Sequence, residues 1–208
     1  MLGHLLVHPR DPQARLIAKA VEVLHAGGLI VYPTDSCYAL GCKIGEKDAL
    51  ERLRRIRQLD DHHPLTLVCR NLSQIAHFAR VDNQQYRLLK SATPGSYTFL
   101  LKATRQVPRR LQHPKRSTIG LRVPDHVVAQ ALLHQLDEPL LSSSLVLPGD
   151  DLPLNDPDEI DERLHSQFDL ILDAGVCAAE MTTVIDLTDP SPRVVRRGKG
   201  SLAAIGLE

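Results

Sequence analysis

The run Thr118-Ile119-Gly120-Leu121-Arg122-Val123-Pro124 carries a cation in the middle of an apolar, strand-forming stretch. Alternation along a strand sends Ile119, Leu121 and Val123 to one face and Thr118, Gly120 and Arg122 to the other. The first set is core. The second puts a guanidinium beside a glycine that leaves it room. Such a charge needs a carboxylate or an anionic ligand, because burial with neither costs several kcal/mol. The run by itself is equally consistent with a buried salt bridge and with a ligand site. A second apolar segment, 139–149, is interrupted by Ser142, Ser143 and Ser144. Their hydroxyls and amides can surround phosphate or carboxylate oxygens; the alternative is a polar strand end met by neighbouring loops. Thr34 and Ser36 flank Asp35 between two strands. This is the carboxyl end of a strand, where open α/β sheets bind ligands, and Asp35 suits the turn itself.

Further cations need placing. On a helix over 46–58, Arg52 and Arg55 fall on the polar face and Arg54 at its edge, a solvated surface. Arg57 lies instead between Leu50 and Leu53 on the apolar side, near a helix end whose dipole favours a cation. It is the site candidate of the four. Near the end of the sequence, alternation lets only one of Arg196 and Arg197 enter a cleft. No glycine-rich phosphate loop occurs, so any nucleotide must be held by side chains and strand ends. Cys37, Cys42, Cys69 and Cys177 lack paired metal-ligand spacing and read as buried, reduced thiols, with no metal site.

The elements that must position these residues follow from periodicity and punctuation. Strands are predicted at 4–8, 29–34, 38–42, 65–69, 94–103, 118–124, 138–147, 169–175, 182–188 and 193–198. Helices are predicted after Asp11-Pro12 up to Gly27-Gly28, at 46–58, near 71–79 and 83–91, over 126–136 with Asp125 as cap, and after 156. There Asp156, Pro157 and Glu159 form the pattern of a capping box. Strands alternate with helices early and cluster late, so a mixed parallel and antiparallel sheet covered by helices is expected, in one α/β domain spanning 1–208.

Composition narrows the function classes. The aromatic fraction is 3% with no Trp, so the core is aliphatic and few rings are free to stack bases. Lys plus Arg equals Asp plus Glu at 25 each, so net charge carries no signal for a polyanion; Arg109, Arg110, Lys115 and Arg116 are the local cluster that could meet one. No stretch approaches the roughly 20 apolar residues of a membrane span. The first residues lack a basic n-region and a small-residue cleavage site. A cytoplasmic protein with no membrane association is expected.

Six segments in order, YPTDSCYALGC, HHPLTLVC, TPGSYTFLL, TIGLRVPDH, PLLSSSLVLPG and TTVIDLT followed by VVRRG, resemble the YrdC/YciO family, over about residues 7–198. The family's best-known members are threonylcarbamoyl-AMP synthases. The resemblance implies a twisted mixed sheet around a large concave, positively charged cavity. It implies binding of ATP or AMP, with ATP as a substrate accompanied by magnesium and no tightly bound cofactor. It also implies a threonine-like substrate, bicarbonate as a reactant, and tRNA or double-stranded RNA as a further partner. Carried onto this sequence, it places Arg57, Ser142, Ser144 and Arg196 at the nucleotide, and Thr34, Arg122 and Thr183 at the amino acid. Arg57, Arg122 and Ser144 become the catalytic set. Where the synthases have Lys-x-Arg and Ser-x-Asn, this chain has Arg57-Gln58-Leu59 and Ser144-Leu145-Val146. That pattern is closer to the YciO branch and implies weak or altered adenylate synthesis. The alternative is a non-catalytic binder of nucleotide or RNA.

Overall fold

A computed structural model describes residues 3–60, 63 and 65–207. In chain order the elements are β1 (Gly3–Leu6), α1 (Ala14–His25), β2 (Ile30–Pro33), β3 (Tyr38–Lys43), α2 (Lys47–Arg57), β4 (Thr66–Val68), α3 (Leu72–Phe78), α4 (Asn83–Ala92), β5 (Tyr97–Lys102), β6 (Thr118–Arg122), α5 (Val127–Leu136), β7 (Leu140–Ser144), α6 (Pro157–Leu164), β8 (Leu170–Asp173), β9 (Thr183–Asp186) and β10 (Arg193–Arg196). Short 3-10 turns lie at Arg109–Leu111 and Ala203–Ile205.

The ten strands form one mixed sheet in the order β1-β8-β2-β3-β7-β4-β6-β5-β9-β10. The pairs β1/β8, β2/β8, β4/β6 and β5/β9 are parallel; the rest are antiparallel. This is the mixed α/β sheet covered by helices that the order of elements predicts. Each face has its own core. Ile119, Leu121 and Val123 join the larger one, against α2, α3, α4 and α6 through residues such as Leu53, Ile75, Leu89 and Ile160. The smaller core packs α1 and α5 onto Ile30, Tyr32, Ala39, Val68 and Leu140.

Several helix ends depart from expectation. α1 starts at Ala14 after Gln13, not at Asp11-Pro12; the Asp11 amide is taken by the His8 ring at 3.0 Å, leaving Asp11 in the turn before the helix. α5 is entered from His126 rather than Asp125, with no side-chain cap. At α6, Asp156 caps the Asp158 amide and Pro157 opens the helix. Glu159 does not complete the box, because its carboxylate faces Arg163 one turn on. A capping box does form at α4, between Asp82 and Gln85.

Candidate functional site

The face covered by α1 and α5 at one end is open farther along the sheet. Leu140 and Ser142 share that face by alternation; Leu140 packs in the smaller core, whereas Ser142 lines a cavity of about 530 Å³. The same register continues across the sheet. Ser142 lies opposite Thr66, Thr66 opposite Gly120, and Gly120 opposite Leu100. Val68 pairs with Arg122, and Thr98 with Val184. All of these line the cavity, with Arg57, His63, Met181, Thr182 and Arg196 around it. Three arginines from α2, β6 and β10 thus reach one space. Gly120 is needed there: a Cβ would come within 2.9 Å of the Thr66 hydroxyl and 3.2 Å of the Leu65 carbonyl.

Arg122 is 5% exposed and answers both alternatives left open by its strand. It lines the cavity and is also ion-paired, its Nη2 donating to Asp35 at 2.5 Å and its Nη1 to the Ser36 hydroxyl at 3.1 Å. Asp35 is therefore more than a turn former. Its second carboxylate oxygen accepts from Ser96, and its backbone carbonyl from Lys199. The Glu180 amide donates to the Ser36 carbonyl at 3.0 Å, so the 34–36 turn is gripped from β6 and from three connecting segments. Thr34 is not among the cavity-lining residues. Its hydroxyl donates to the Cys37 carbonyl at 2.7 Å and accepts from the Ser36 and Cys37 amides at 3.2 Å each. The side chain is spent on shaping the turn.

Arg57 ends α2, and its Nε donates to the Ser143 hydroxyl at 3.2 Å. Burial, ahead of any neighbouring charge, weakens its guanidinium's hold on the proton. Arg52 is not simply solvated: it bonds Asp169 at 2.7 Å and the Gln167 carbonyl at 3.0 Å. The three serines line the cavity with different freedom. Ser142 donates to the Leu40 carbonyl at 2.9 Å and sits 2.8 Å from the Tyr32 hydroxyl, which then donates to it. Burial pushes the Tyr32 phenol up to about 12, so it stays a donor. Ser142 is left a lone pair but no free proton for an anion. Gly41 makes this contact possible, since a Cβ there would lie 2.8 Å from the Tyr32 ring. Ser144 lines the cavity at the end of β7, where the strand opens to it.

Arg196 donates to the Thr182 carbonyl and hydroxyl at 3.1 Å each, and Thr182 is 2.9 Å from the Thr98 hydroxyl. Thr183 is not a lining residue. It is fully buried, donating to the Gly200 carbonyl at 2.7 Å and accepting the Gly198 amide at 3.0 Å. It rivets the 197–201 strap to β9, while its neighbour Thr182 faces the cavity. Thr66, Thr98, Thr182 and His63 line the cavity without having been singled out as site candidates from the sequence. A Thr-Thr pair at a strand start gives no sign of which member faces the ligand side; only the register of β9 on β5 decides it.

Comparison with known proteins gives this geometry a family. The family model Sua5_yciO_yrdC, described as telomere recombination, matches residues 22–198. The chain belongs to the Sua5/YciO/YrdC family. It is 57% identical over 196 residues to YciO of Escherichia coli K12, covering 94% of this chain and 95% of that protein. The crystal structure of E. coli YciO superposes with a TM-score of 0.95 over 99% of this chain and all of the other. The threonylcarbamoyl-AMP synthase of Chromobacterium violaceum is 37% identical over 137 residues, 65% of this chain and 70% of that one. Sua5 of P. abyssi, crystallised with L-threonine, shares the fold at a TM-score of 0.86 and 24% identity, over 94% of this chain and 57% of its own.

Within the family frame, the two apolar replacements have clear positions. Leu59 packs against the larger core, and its amide bonds the Arg54 carbonyl at 2.9 Å. The Val146 amide bonds the Ser144 carbonyl at 3.0 Å. Neither is among the residues lining the cavity. Of the segment HHPLTLVC, residues 62 and 64 lie outside the described residues.

Proposed function

We propose that this YciO-type chain binds ATP or AMP together with a threonine-like amino acid in the cavity, and that it makes threonylcarbamoyl-adenylate weakly or on an altered acceptor. The convergence of Arg57, Arg122 and Arg196 on one space carries the reading, because three guanidiniums with one paired carboxylate suit a polyanionic ligand. Arg57, Arg196 and Ser144 face the phosphates, and the remaining Ser142 lone pair accepts from an N–H or O–H donor of the nucleotide. Arg122 faces the amino acid. Thr34 and Thr183 act from behind, through the 34–36 turn and the 197–201 strap.

In the reaction, the threonine amine adds to bicarbonate with loss of water. A carbamate oxygen then attacks the α-phosphorus, forming the P–O bond as the bond to pyrophosphate breaks. Arginines at the phosphates offset charge that grows at the transferring centre, and a fixed amino acid places the carbamate in line. Among the described residues, no group of three or more His, Cys, Asp or Glu side chains is arranged to hold a metal. Magnesium accompanying ATP would be held chiefly by the phosphates and water. Losing two charge-assisted contacts at Leu59 and Val146 lowers the rate by roughly 10²–10⁴ if both act in the transition state.

Radiolabelled bicarbonate with L-threonine and ATP tests the reading. Slow formation of the adenylate, lost in Arg57→Ala, supports it. Product no greater than that of Arg57→Ala contradicts it. The second reading, a non-catalytic binder, draws on Leu59 and Val146. It predicts nucleotide binding without turnover, or RNA binding that weakens steeply with salt.

A further inference from the structure

Behind the cavity floor, a buried tyrosine fixes how Ser142 can bond. Tyr32 is fully buried in the smaller core, and its hydroxyl lies 2.8 Å from that of Ser142. Ser142 is also 2.9 Å from the Leu40 carbonyl, which can only accept. Each hydroxyl has one proton, so a single arrangement satisfies all three groups: Tyr32 donates to Ser142, and Ser142 to Leu40. The reverse assignment leaves the buried Tyr32 proton without an acceptor among the described residues, which costs more than the bond it makes. Two of the three bonding directions at the Ser142 oxygen are thus taken by protein, and the third is a lone pair. Ser142, Thr66 and Gly120 run across the sheet as one row of the cavity floor. Arg57 reaches the β7 end of this row through Ser143, while Arg122 and Arg196 approach from β6 and β10. A phosphate oxygen over Ser142 would meet a lone pair; beside the guanidiniums it meets donors.

We propose that the Ser142–Thr66 floor is the subsite for the nucleoside, not for the phosphates, and that Tyr32 is the positioning residue that aims the Ser142 lone pair into it. The subsite takes a neutral O–H or N–H donor beside an acceptor, since the Thr66 hydroxyl opposite Ser142 can donate as well as accept. Ribose hydroxyls carry that chemistry, and so does the adenine amino group beside its ring nitrogen. Gly120, next in the row, keeps the neighbouring position clear of any side chain. A site built around one directed acceptor rejects an analogue that lacks the donor, because the serine oxygen is then left unpaired. The proposal deepens the nucleotide reading above and rests on it.

Calorimetric titration with ATP, inorganic tripolyphosphate, 2′-deoxyATP, 3′-deoxyATP and ITP tests it. In the wild type, one of the three analogues binds about 3-fold to 10-fold more weakly than ATP, the loss of one neutral hydrogen bond. A weaker deoxy analogue identifies the ribose as the donor, and weaker ITP identifies the base. Ser142→Ala weakens ATP by the same factor, removes the difference between ATP and that analogue, and leaves tripolyphosphate affinity unchanged. Tyr32→Phe weakens ATP by a smaller factor, leaves tripolyphosphate unchanged, and has no further effect in the Ser142→Ala background. Equal binding of ATP and all three analogues by the wild type overturns the subsite while leaving the nucleotide reading intact. A parallel loss of tripolyphosphate in Ser142→Ala overturns it too, because phosphate then lies over the serine. A Tyr32→Phe effect that persists in the Ser142→Ala background shows a merely structural tyrosine and overturns its positioning role. No ATP binding by the wild type sinks the nucleotide reading and the subsite together.

Discussion

Arg122 is the residue on which the site turns. Its strand left a salt bridge and a ligand site equally open, and the fold supplies both, through Asp35 and through the cavity. The partner could not be chosen from sequence, because nothing local distinguishes Asp35 from the other acids; the turn and β6 are brought together only by the sheet. Truncating Asp35 to Ala leaves Arg122 buried with an uncompensated charge. We expect a loss of about 3–5 kcal/mol in denaturant unfolding. The double variant Asp35→Ala/Arg122→Met is expected to lose less than the sum of the singles, because it removes the stranded charge as well. Additive losses would show that the two are not a pair. The serine run teaches the same lesson at finer grain. Residue type placed Ser142, Ser143 and Ser144 in the site, but their differing freedom depends on Tyr32 and Arg57, which are distant in sequence.

At the scale of elements, periodicity located β6, α2 and β7 well, because an apolar face repeats at 2.0 or 3.6 residues whatever it packs against. It located caps less well. Asp11 and Asp125 have the chemistry of caps, yet Gln13 and His126 occupy those positions without a side-chain capping bond. The tertiary approach to each helix decided its entry. It also could not show that the Thr183 hydroxyl ties the strap 197–201 to β9 and that Thr183 does not line the cavity. That strap depends on close backbone contact: a Cβ on Gly198 would lie 2.2 Å from the Met181 carbonyl, and one on Gly200 2.5 Å from the Tyr97 ring. Gly198→Ala must push the strap off β9, so we expect it to lower Tm by several degrees, as overpacking does, and to weaken anion binding through the neighbouring Arg196. A Gly198→Ala protein with wild-type Tm and affinity would mean that the strap is not a positioning element.

For the whole molecule, the sheet explains why one face can hold a ligand. Helices cover one face along much of the sheet, but α1 and α5 cover only one end of the other, and polar side chains are concentrated on the part left open. Acid sensitivity follows from the groups built into that arrangement. His126 and His63 are held below their ordinary 6.5, in each case chiefly by burial. The unfolded chain therefore binds more protons as pH falls below 6.5, and their contribution to stability, complete above that value, is lost on the way down. Asp186 titrates below its ordinary 3.8, because Thr188 and Arg193 outweigh the upward push of burial. Its contribution, present above 3.8, is lost as pH falls through its folded value. Denaturation curves should thus show two acid-side declines, and His126→Gln should flatten the upper one. Stability unchanged down to about pH 5 would contradict this.

Calorimetric titration of ATP into the wild-type chain, Arg57→Ala and Ser144→Ala tests the central claim, that the arginine-lined cavity holds a nucleotide. Loss of one charge-assisted contact of about 1.5–3 kcal/mol predicts an affinity roughly 10-fold to 100-fold weaker in Arg57→Ala. A smaller loss is predicted in Ser144→Ala, with both variants folded. Wild-type affinity retained in both variants, or no heat of binding in the wild type, would contradict it.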